Sequence, residues 1–316
     1  RYYNSPIGTR MQKTFEELAL MWSENKQSIV KYSTLCAYRL TLRTHLIPHF
    51  GAMTEIEEAE VQRFIIEKIR NGLAKKTVRD IVAVLRAVVK YGARLHLCER
   101  EDWQLDYPTT ESGRKLPVLS LRHQRKLMKH LMEHPNARNI GVMLALCTGM
   151  RIGEVCALKW ENVDLTHRMI RVCKTVGRIY NCELGATERV FSTPKTKHSF
   201  REIPISKLLF EALCVTKRMS SSPFVVGTTI YATDPRTYRD YFNRLLKRLN
   251  ITPIVFHGLR HTFATRCIES QCDYKTVSSI LGHSNVATTL NLYVHPNLQQ
   301  KKRCIDKMSK FVEGKQ

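Results

Sequence analysis

The segment His257-Gly258-Leu259-Arg260-His261 is the most informative stretch of this 316-residue chain. Leu281-Gly282-His283 and then Tyr293 follow it, and Thr148-Gly149-Met150-Arg151 precedes it. His257 and Arg260 are three residues apart, so on a helix their side chains share one face. These segments predict that cation-capable side chains from three places in the chain gather around a tyrosine.

Such a cluster suits the transfer of a phosphodiester without a metal. The non-bridging oxygens gain negative charge in the transition state, and fixed cations must point at them. Arginine serves best, because its planar guanidinium bonds a phosphate in bidentate fashion and stays protonated. Arg151 follows a predicted helix stop at Gly149, where a turn can place it outside the core. Tyr293 would supply the phenol that attacks phosphorus.

Together these motifs resemble those of the tyrosine recombinases, the phage-integrase family. The resemblance implies that Arg151, in T-G-x-R-x-x-E, is the first catalytic arginine, and that His257 and Arg260, in H-x-L-R-H, are the histidine and the second arginine. His283, in L-G-H, would be the second histidine, which also contacts the phosphate. Tyr293, at the end of a T-T-L-x-x-Y run, would be the nucleophile that becomes attached to the 3′-phosphate.

The resemblance also implies a lysine that protonates the leaving 5′-hydroxyl. The candidate segment is Thr193-Pro194-Lys195-Thr196-Lys197, in which Lys195 fits the family position better and Lys197 is the alternative. A lysine serves as a general acid when surrounding cations pull its pKa toward neutrality. Glu154 is expected to orient Arg151 and to take no part in the chemistry. No metal and no nucleotide cofactor is implied.

The composition favours a nucleic-acid partner. The chain carries 51 Lys and Arg residues against 28 Asp and Glu residues, a net charge of +23, which a polyanion would offset. A merely basic or ribosomal protein is the alternative that charge alone leaves open. The charge is dispersed and flanks no apolar run, which disfavours a membrane partner. Ten cysteines without any C-x-x-C pair indicate reduced thiols in a cytosolic protein. The resemblance implies a bacterial cytoplasmic, nucleoid-associated location.

Apolar spacing predicts a first domain of four short helices in residues 1–97. Thr14 and Glu17 form a capping box that opens the first helix, and Asn71-Gly72 closes the third. The second helix is expected at 34–45, with a stop near Pro48 and Gly51, the third at 55–70 and the fourth at 76–95. Pro, Gly, Ser and acidic residues then mark 98–115 as a linker.

The second domain is predicted to span 116–316 and to be mainly helical, with a small antiparallel β-sheet. Ser120 caps a helix that reaches about His134. Two strands and an inserted hairpin are expected at 169–173, 201–205 and 178–191, with Pro204 favouring a sheet edge. The other helices are expected at 140–147, 151–160, 207–218, 237–249, 257–270, 274–281, 287–293 and 298–311.

Contacts with DNA outside the catalytic cluster are expected at the start of the fourth helix. Its free backbone N–H groups and positive charge suit a phosphate. Lys75, Lys76, Thr77 and Arg79 open that helix. Further expected contacts, on the same surface or near the catalytic lysine, are Arg39, Arg43, Lys90 and Lys197.

The fold class implied by the resemblance is an N-terminal helical core-binding bundle plus a tyrosine-recombinase catalytic domain. It implies a DNA-strand exchanger that clamps double-stranded DNA, acts as a tetramer on DNA and integrates or excises a mobile element. The hairpin and the P-K-T-K segment are similar to those of conjugative-transposon and Gram-positive phage integrases. An accessory DNA-bending or excision factor is a further expected partner.

Two other interpretations stay open at this point. A type IB topoisomerase uses the same chemistry as a monomer, although a helix after Tyr293 favours a recombinase that assembles through it. A non-catalytic DNA-binding regulator is the second. Because the chain begins with Arg1, a missing N-terminal arm-binding module is a further hypothesis.

Overall fold

A computed structural model of the chain describes residues 13–98, 102–108, 117–192, 200–283 and 285–293, together with residues 302, 305, 306, 308, 309, 312 and 313. The chain divides into two compact units. The first comprises Arg1–Gly113 and Ile179–Glu188, and the second comprises Arg114–Arg178 and Arg189–Gln316. The linker placed at 98–115 stays a prediction, because residues 99–101 and 109–116 lie outside the described residues.

The first unit is a helical bundle, as predicted. Its described helices are α1 (Phe15–Gln27), α2 (Tyr32–Thr41), α3 (Ile47–Phe50), α4 (Glu58–Arg70) and α5 (Lys75–Arg94). Thr14 caps α1, and its backbone N–H donates to Glu17 at 2.9 Å, so the predicted capping box is confirmed. An aromatic and aliphatic core that includes Phe15, Phe64 and Leu85 holds the helices together.

The second helix runs past the predicted bound at His45, but it stops next to Gly51, as predicted. After α2 the chain forms a π-helical turn, Leu42–Leu46, and continues through Pro48 as α3. The backbone N–H of Ile47 donates to the carbonyl of Leu42, five residues back. Pro48 has no N–H to donate, and the widened turn lets the helix pass it without a break. The helix ends at Phe50, before Gly51.

The second unit contains the remaining helices and both sheets. Its described elements are α6 (Leu121–Glu133), α7 (Asn139–Thr148), α8 (Ile152–Ala157), β1 (Val163–Asp164), β2 (Met169–Val172), β3 (Thr175–Asn181), β4 (Ala186–Ser192), β5 (Arg201–Pro204), α9 (Lys207–Arg218), α10 (Pro235–Arg248), α11 (His257–Glu269), α12 (Tyr274–Leu281) and α13 (Val286–Tyr293). The tip of the β3–β4 hairpin belongs to the first unit.

Both predicted sheet features are confirmed. Strands β1, β2 and β5 form an antiparallel sheet in that order, and Ile170 pairs with Ile203. Pro204 lies on the edge strand β5, where a residue without an N–H interrupts no ladder on the far side. Strands β3 and β4 form the inserted two-stranded hairpin.

The helix expected at 151–160 is shorter than predicted. It ends at Ala157, and Leu158 is already extended, with φ −69° and ψ 121°. The carbonyl of Leu158 accepts a hydrogen bond from Val225 N at 2.9 Å, and Trp160 N donates to Pro223 O at 3.0 Å. Pairing with this neighbouring segment therefore replaces the last turns of the predicted helix.

Two general features concern the described residues only. None of their helices is both long and apolar enough to cross a membrane. Each described cysteine is a free thiol. The helix predicted at 298–311 falls largely outside the described residues, although residues 305, 306, 308 and 309 are helical.

Candidate active site

The turn that ends α7 is the point at which the predicted catalytic segments meet. Gly149 adopts the left-handed conformation, with φ 68° and ψ 17°. A Cβ at this position would lie 2.6 Å from Leu281 Cδ2 and 2.8 Å from Phe263 Cδ1. Both the backbone conformation and the close approach of α11 and α12 therefore require glycine. The T-G-x-R, H-x-L-R-H and L-G-H segments thus converge on one residue.

Arg260 is fixed to this same turn. It lies on α11 and is 2% exposed, and its Nη1 donates a hydrogen bond to the carbonyl of Gly149 at 2.9 Å. Burial of an arginine is unfavourable unless its donors find acceptors, so such a residue is held in one orientation. The second predicted arginine is therefore anchored two residues from the first.

Arg151 leaves the turn as the N-cap residue of α8 and reaches solvent. Its backbone N–H donates to Glu154 Oε2 at 2.9 Å, and its Nη1 donates to Glu154 Oε1 at 2.8 Å. The Arg151 side chain is 37% exposed, whereas that of Glu154 is 4% exposed. Glu154 is hydrogen-bonded to Arg151 as its predicted orienting role requires, and the role itself stays a prediction. Part of the Arg151 side chain is exposed to solvent.

Arg201 completes this network, although the sequence motifs indicated only a strand residue at this position. It opens β5, and its side chain is 5% exposed. Its Nη2 and Nη1 donate to the two carboxylate oxygens of Glu154 at 2.8 and 3.2 Å. Its Nε donates to the carbonyl of Ile280 at 2.6 Å. An arginine at the start of a predicted strand was the only signal in the sequence.

The charge state of Glu154 follows from its two arginine partners. Burial alone would raise the pKa of the Glu154 carboxyl. The hydrogen bond and charge of Arg201, with the charge of Arg151, outweigh that effect and hold the pKa below its usual value. Glu154 is therefore an anion at neutral pH, placed between two cations.

His283 is presented by the left-handed cap of α12. Gly282 has φ 67° and ψ 46°, and His283 follows it directly. The Nδ1 atom of His283 lies 2.9 Å from the hydroxyl of Thr289, which is fully buried on α13. Whichever of the two donates, this bond sets the plane of the ring and leaves Nε2 for another partner. Thr289 is a second positioning residue: it stands in the T-T-L-x-x-Y run, but the motif indicated no role for it.

Both predicted histidines are neutral at pH 7. Desolvation, followed by the positive charges of His261, Arg260 and Arg151, lowers the pKa of His257 to about 4. Desolvation and the charges of Arg260 and Arg151 likewise lower the pKa of His283 to about 4. A neutral imidazole donates one hydrogen bond and accepts another. Each ring can therefore bond a phosphate oxygen or receive a proton.

The remaining catalytic candidates are only partly described. Tyr293 is the last residue of α13, and its side chain lies outside the described part of the chain. Helix α13 contacts both α11 and α12. The helix that bears Tyr293 is thus packed against the helix of Arg260 and the helix that leads to His283. Lys195 and Lys197 lie outside the described residues.

The expected DNA contacts in the first unit differ in how far they are engaged within the protein. Lys75 Nζ donates to the carbonyl of Pro108 at 2.8 Å, and Arg43 Nη1 donates to that of Cys182 at 3.1 Å. The Arg79 guanidinium lies 4.9 Å from the ring centroid of Tyr107. Among the described residues at the start of α5, Lys76 and Thr77 are exposed. Contact of these residues with DNA stays a prediction.

The residues that build this site lie within a segment shared with known proteins. Residues 118–300 match the model of the phage integrase family. The chain belongs to the phage integrase family. Residues 14–69 match the N-terminal SAM-like domain of phage integrases. The resemblance based on the motifs is confirmed, and the chain is an enzyme of the tyrosine recombinase class.

Individual relatives of this family member are distant in sequence. It is 23% identical to a XerC-like tyrosine recombinase of Caldanaerobacter subterraneus over 80% of this chain and 71% of that protein. It is 25% identical to the ICEBs1 integrase of Bacillus subtilis over 84% of this chain and 75% of that protein. The Tn1549 transposon integrase, solved in complex with a circular intermediate DNA, has the same fold, with a TM-score of 0.77, 22% identity and coverage of 93% of this chain and 99% of that chain.

In the described part of this family member, no group of three or more His, Cys, Asp or Glu residues is placed to hold a metal ion.

Proposed function

We propose that this chain cleaves and rejoins double-stranded DNA at specific sites through a covalent 3′-phosphotyrosine at Tyr293, and so integrates or excises a mobile element. One observation carries the proposal. Arg260 is hydrogen-bonded to the Gly149 turn from which Arg151 projects, and the same turn packs against the α12 helix that presents His283. We infer that these two arginines and the neutral His257 and His283 face one phosphate next to α13.

The proposed reaction assigns one role to each group. The phenol oxygen of Tyr293 forms a bond to phosphorus, and the bond from phosphorus to the 5′-oxygen breaks. Arg151 and Arg260 stabilise the charge that grows on the non-bridging oxygens, and His257 and His283 bond the same phosphate. Lys195 gives a proton to the leaving 5′-oxygen, with Lys197 as the alternative donor. A 5′-hydroxyl of a partner strand then attacks the phosphotyrosine and releases the enzyme.

The proposed partner is duplex DNA from the ends of the element and its target. The net charge of +23 supports this partner, and so do the names of the ICEBs1 and Tn1549 integrases. Lys76, Thr77 and Arg79 at the start of α5 are proposed to contact its backbone. We propose a tetramer on DNA, joined where needed by an accessory DNA-bending or excision factor, and a location at the bacterial nucleoid.

Covalent trapping tests this function. The full chain is incubated in EDTA with labelled, nicked duplexes from the ends of its element, and a band that survives denaturation is sought. We expect such a band with the wild type and none with Tyr293→Phe. Tyr274→Phe is the matched control, since Tyr274 is an exposed tyrosine at the start of α12, and its band should persist.

The outcomes separate the parts of the proposal. A band that remains in Tyr293→Phe would assign the nucleophile to another tyrosine. Tight binding to every duplex without any band would favour a regulator that binds DNA without cleaving it. Relaxation of supercoils without joining of two duplexes would favour a topoisomerase.

A further inference from the structure

The buried carboxylate of Glu154 creates an electrostatic problem for the arginine beside it. Glu154 is 4% exposed and ionised, and it lies 2.8 Å from the Nη1 of Arg151. A carboxylate and one guanidinium at this distance form a neutral pair. Such a pair attracts a phosphate far less than a free arginine does, because the attraction depends on net charge in a partly desolvated site.

Arg201 removes that neutralisation. Its guanidinium donates to both oxygens of Glu154, at 2.8 and 3.2 Å, and its side chain is 5% exposed. The group formed by Arg151, Glu154 and Arg201 therefore carries a net charge of +1. Arg201 is buried, whereas the Arg151 side chain is 37% exposed. The exposed Arg151 is consequently the member of this group that can attract a phosphate with the excess positive charge.

The same guanidinium also fixes the second phosphate-binding segment. Arg201 Nε donates to the carbonyl of Ile280 at 2.6 Å. This carbonyl belongs to the last turn of α12, where backbone acceptors lack partners within the helix. Gly282 and His283 follow within three residues. One side chain thus bonds both the group that orients Arg151 and the helix end that presents His283.

We propose that Arg201 is a positioning residue for strand cleavage: it offsets the charge of Glu154 so that Arg151 stays available to the scissile phosphate, and it holds the end of α12 so that His283 faces the same phosphate. This inference rests on the proposed function. Arg201 itself is too deeply buried to contact DNA, and it acts through Glu154 and Ile280.

The first test compares cleavage by Arg201→Gln and Arg201→Lys with that of the wild type. Adduct formation is measured in a single turnover at saturating nicked duplex, and DNA affinity is measured separately. We expect Arg201→Gln to slow cleavage about 100-fold, because the neutralised Arg151 would then act as one lost donor at the developing anion, with DNA affinity changed less than about threefold. Arg201→Lys keeps the positive charge but cannot make the bidentate hydrogen bonds of a guanidinium, so it should recover part of the cleavage rate.

A charge rescue separates this role from a merely structural one. In the double variant Arg201→Gln/Glu154→Gln the carboxylate is gone, so Arg151 is no longer neutralised. We expect the double variant to cleave about tenfold faster than Arg201→Gln alone, the effect of restoring one charge to the site. The matched control is Arg171→Gln, which breaks the exposed Arg171–Glu202 pair of the same sheet. Its cleavage rate should be unchanged.

A second measurement needs no cleavage. Inorganic sulfate stands in for the scissile phosphate, and the rise in Tm on adding sulfate is compared with that on adding chloride at equal ionic strength. We expect the sulfate-specific rise to be halved in Arg201→Gln and retained in Arg171→Gln.

The results distinguish this inference from the function on which it rests. A folded Arg201→Gln that cleaves at the wild-type rate, or a double variant slower than the single one, would overturn the inference and leave the function intact. If the wild type forms no adduct, the function fails, and the sulfate measurement then decides the inference. An equal sulfate response in the wild type and in Arg201→Gln would overturn it.

Discussion

Helices α5 and α11 are both regular and both packed in a core, yet they bury opposite kinds of side chain. Helix α5 buries an almost purely aliphatic stripe, which includes Val78, Leu85 and Val88. Helix α11 buries Arg260, His261 and Thr262 beside Leu259. The buried face of the first helix stabilises its unit through apolar contact. The buried face of α11 makes less apolar contact, and it holds polar groups in fixed positions.

This contrast separates the residues that stabilise the protein from those that position its chemistry. A buried leucine gains free energy from any apolar neighbour, whereas a buried arginine needs particular acceptors. Arg260 finds one in the carbonyl of Gly149, in a segment 111 residues away in sequence. The buried face of α11 is therefore held by specific hydrogen bonds in addition to apolar contact, whereas the buried face of α5 is held by apolar contact.

The largest effect that would test this comparison comes from a matched pair of substitutions. Leu85→Ala should lower the free energy of unfolding by about 2–5 kcal/mol, because Leu85 is fully buried and leaves a cavity. Arg260→Met should leave the unfolding free energy nearly unchanged or higher, since an apolar residue replaces a buried cation. Its cleavage rate should fall about 10²–10³-fold. Urea unfolding and single-turnover cleavage measure the two effects.

Two results with Leu85→Ala and Arg260→Met would contradict the comparison. The comparison would be wrong if Arg260→Met unfolded as easily as Leu85→Ala. It would also be wrong if Leu85→Ala, assayed well below its Tm with saturating DNA, lost as much cleavage activity as Arg260→Met.

A smaller effect concerns the glycine on which the site is built. Gly149→Ala should destabilise the chain by about 2–3 kcal/mol, from backbone strain at φ 68° plus collision with Leu281 and Phe263. Gly185→Ala is the control, because Gly185 has φ 61° but a Cβ added there would meet nothing within 4 Å. That variant should lose only the strain component, about 1 kcal/mol. Thermal unfolding of both variants checks the difference, and equal losses would show that the close packing at Gly149 contributes little.

The smallest expected effect is a dependence of stability on pH. The pKa of His283 is about 4 in the folded chain, against an ordinary value of 6.5. Between these values the unfolded chain binds a proton that the folded chain does not, so stability rises with pH across this window and is lost as pH falls through it. After allowance for solvent screening we expect roughly 1 kcal/mol. In His283→Asn, urea unfolding at pH 4.5 and 7 should differ less than in the wild type, and an unchanged difference would argue against this assignment.

Much of the fold was predictable because its determinants are local. The Thr14–Glu17 capping box, the apolar stripe of α5 and the Asn71-Gly72 stop each involve residues a few positions apart. The two departures from the predicted helix bounds arose where distant or unusual backbone bonding decided the outcome. The π turn before Pro48 prolonged one helix, and pairing of Leu158 with Val225 shortened another.

The candidate site was predictable in part. Arg151, His257, Arg260 and His283 stand in recognisable motifs, and the structure brings Arg151, Arg260 and His283 to the Gly149 turn and its neighbours. Arg201 and Thr289 could not be found in this way. Their roles depend on partners 47 and 6 residues away, and neither residue type signals such a role by itself.

Periodicity, capping and short motifs are local properties of the chain, and they were enough to specify the helical units, the family and the chemical identity of the proposed phosphate-binding groups. Which of those groups are buried, which reach solvent and which neutralise one another became known only from the packed structure. The charge of Arg151 is free to attract a phosphate because Arg201, 47 residues from Glu154 in sequence, bonds the Glu154 carboxylate. Burial and long-range pairing depend on the packing of distant segments, which no local pattern encodes.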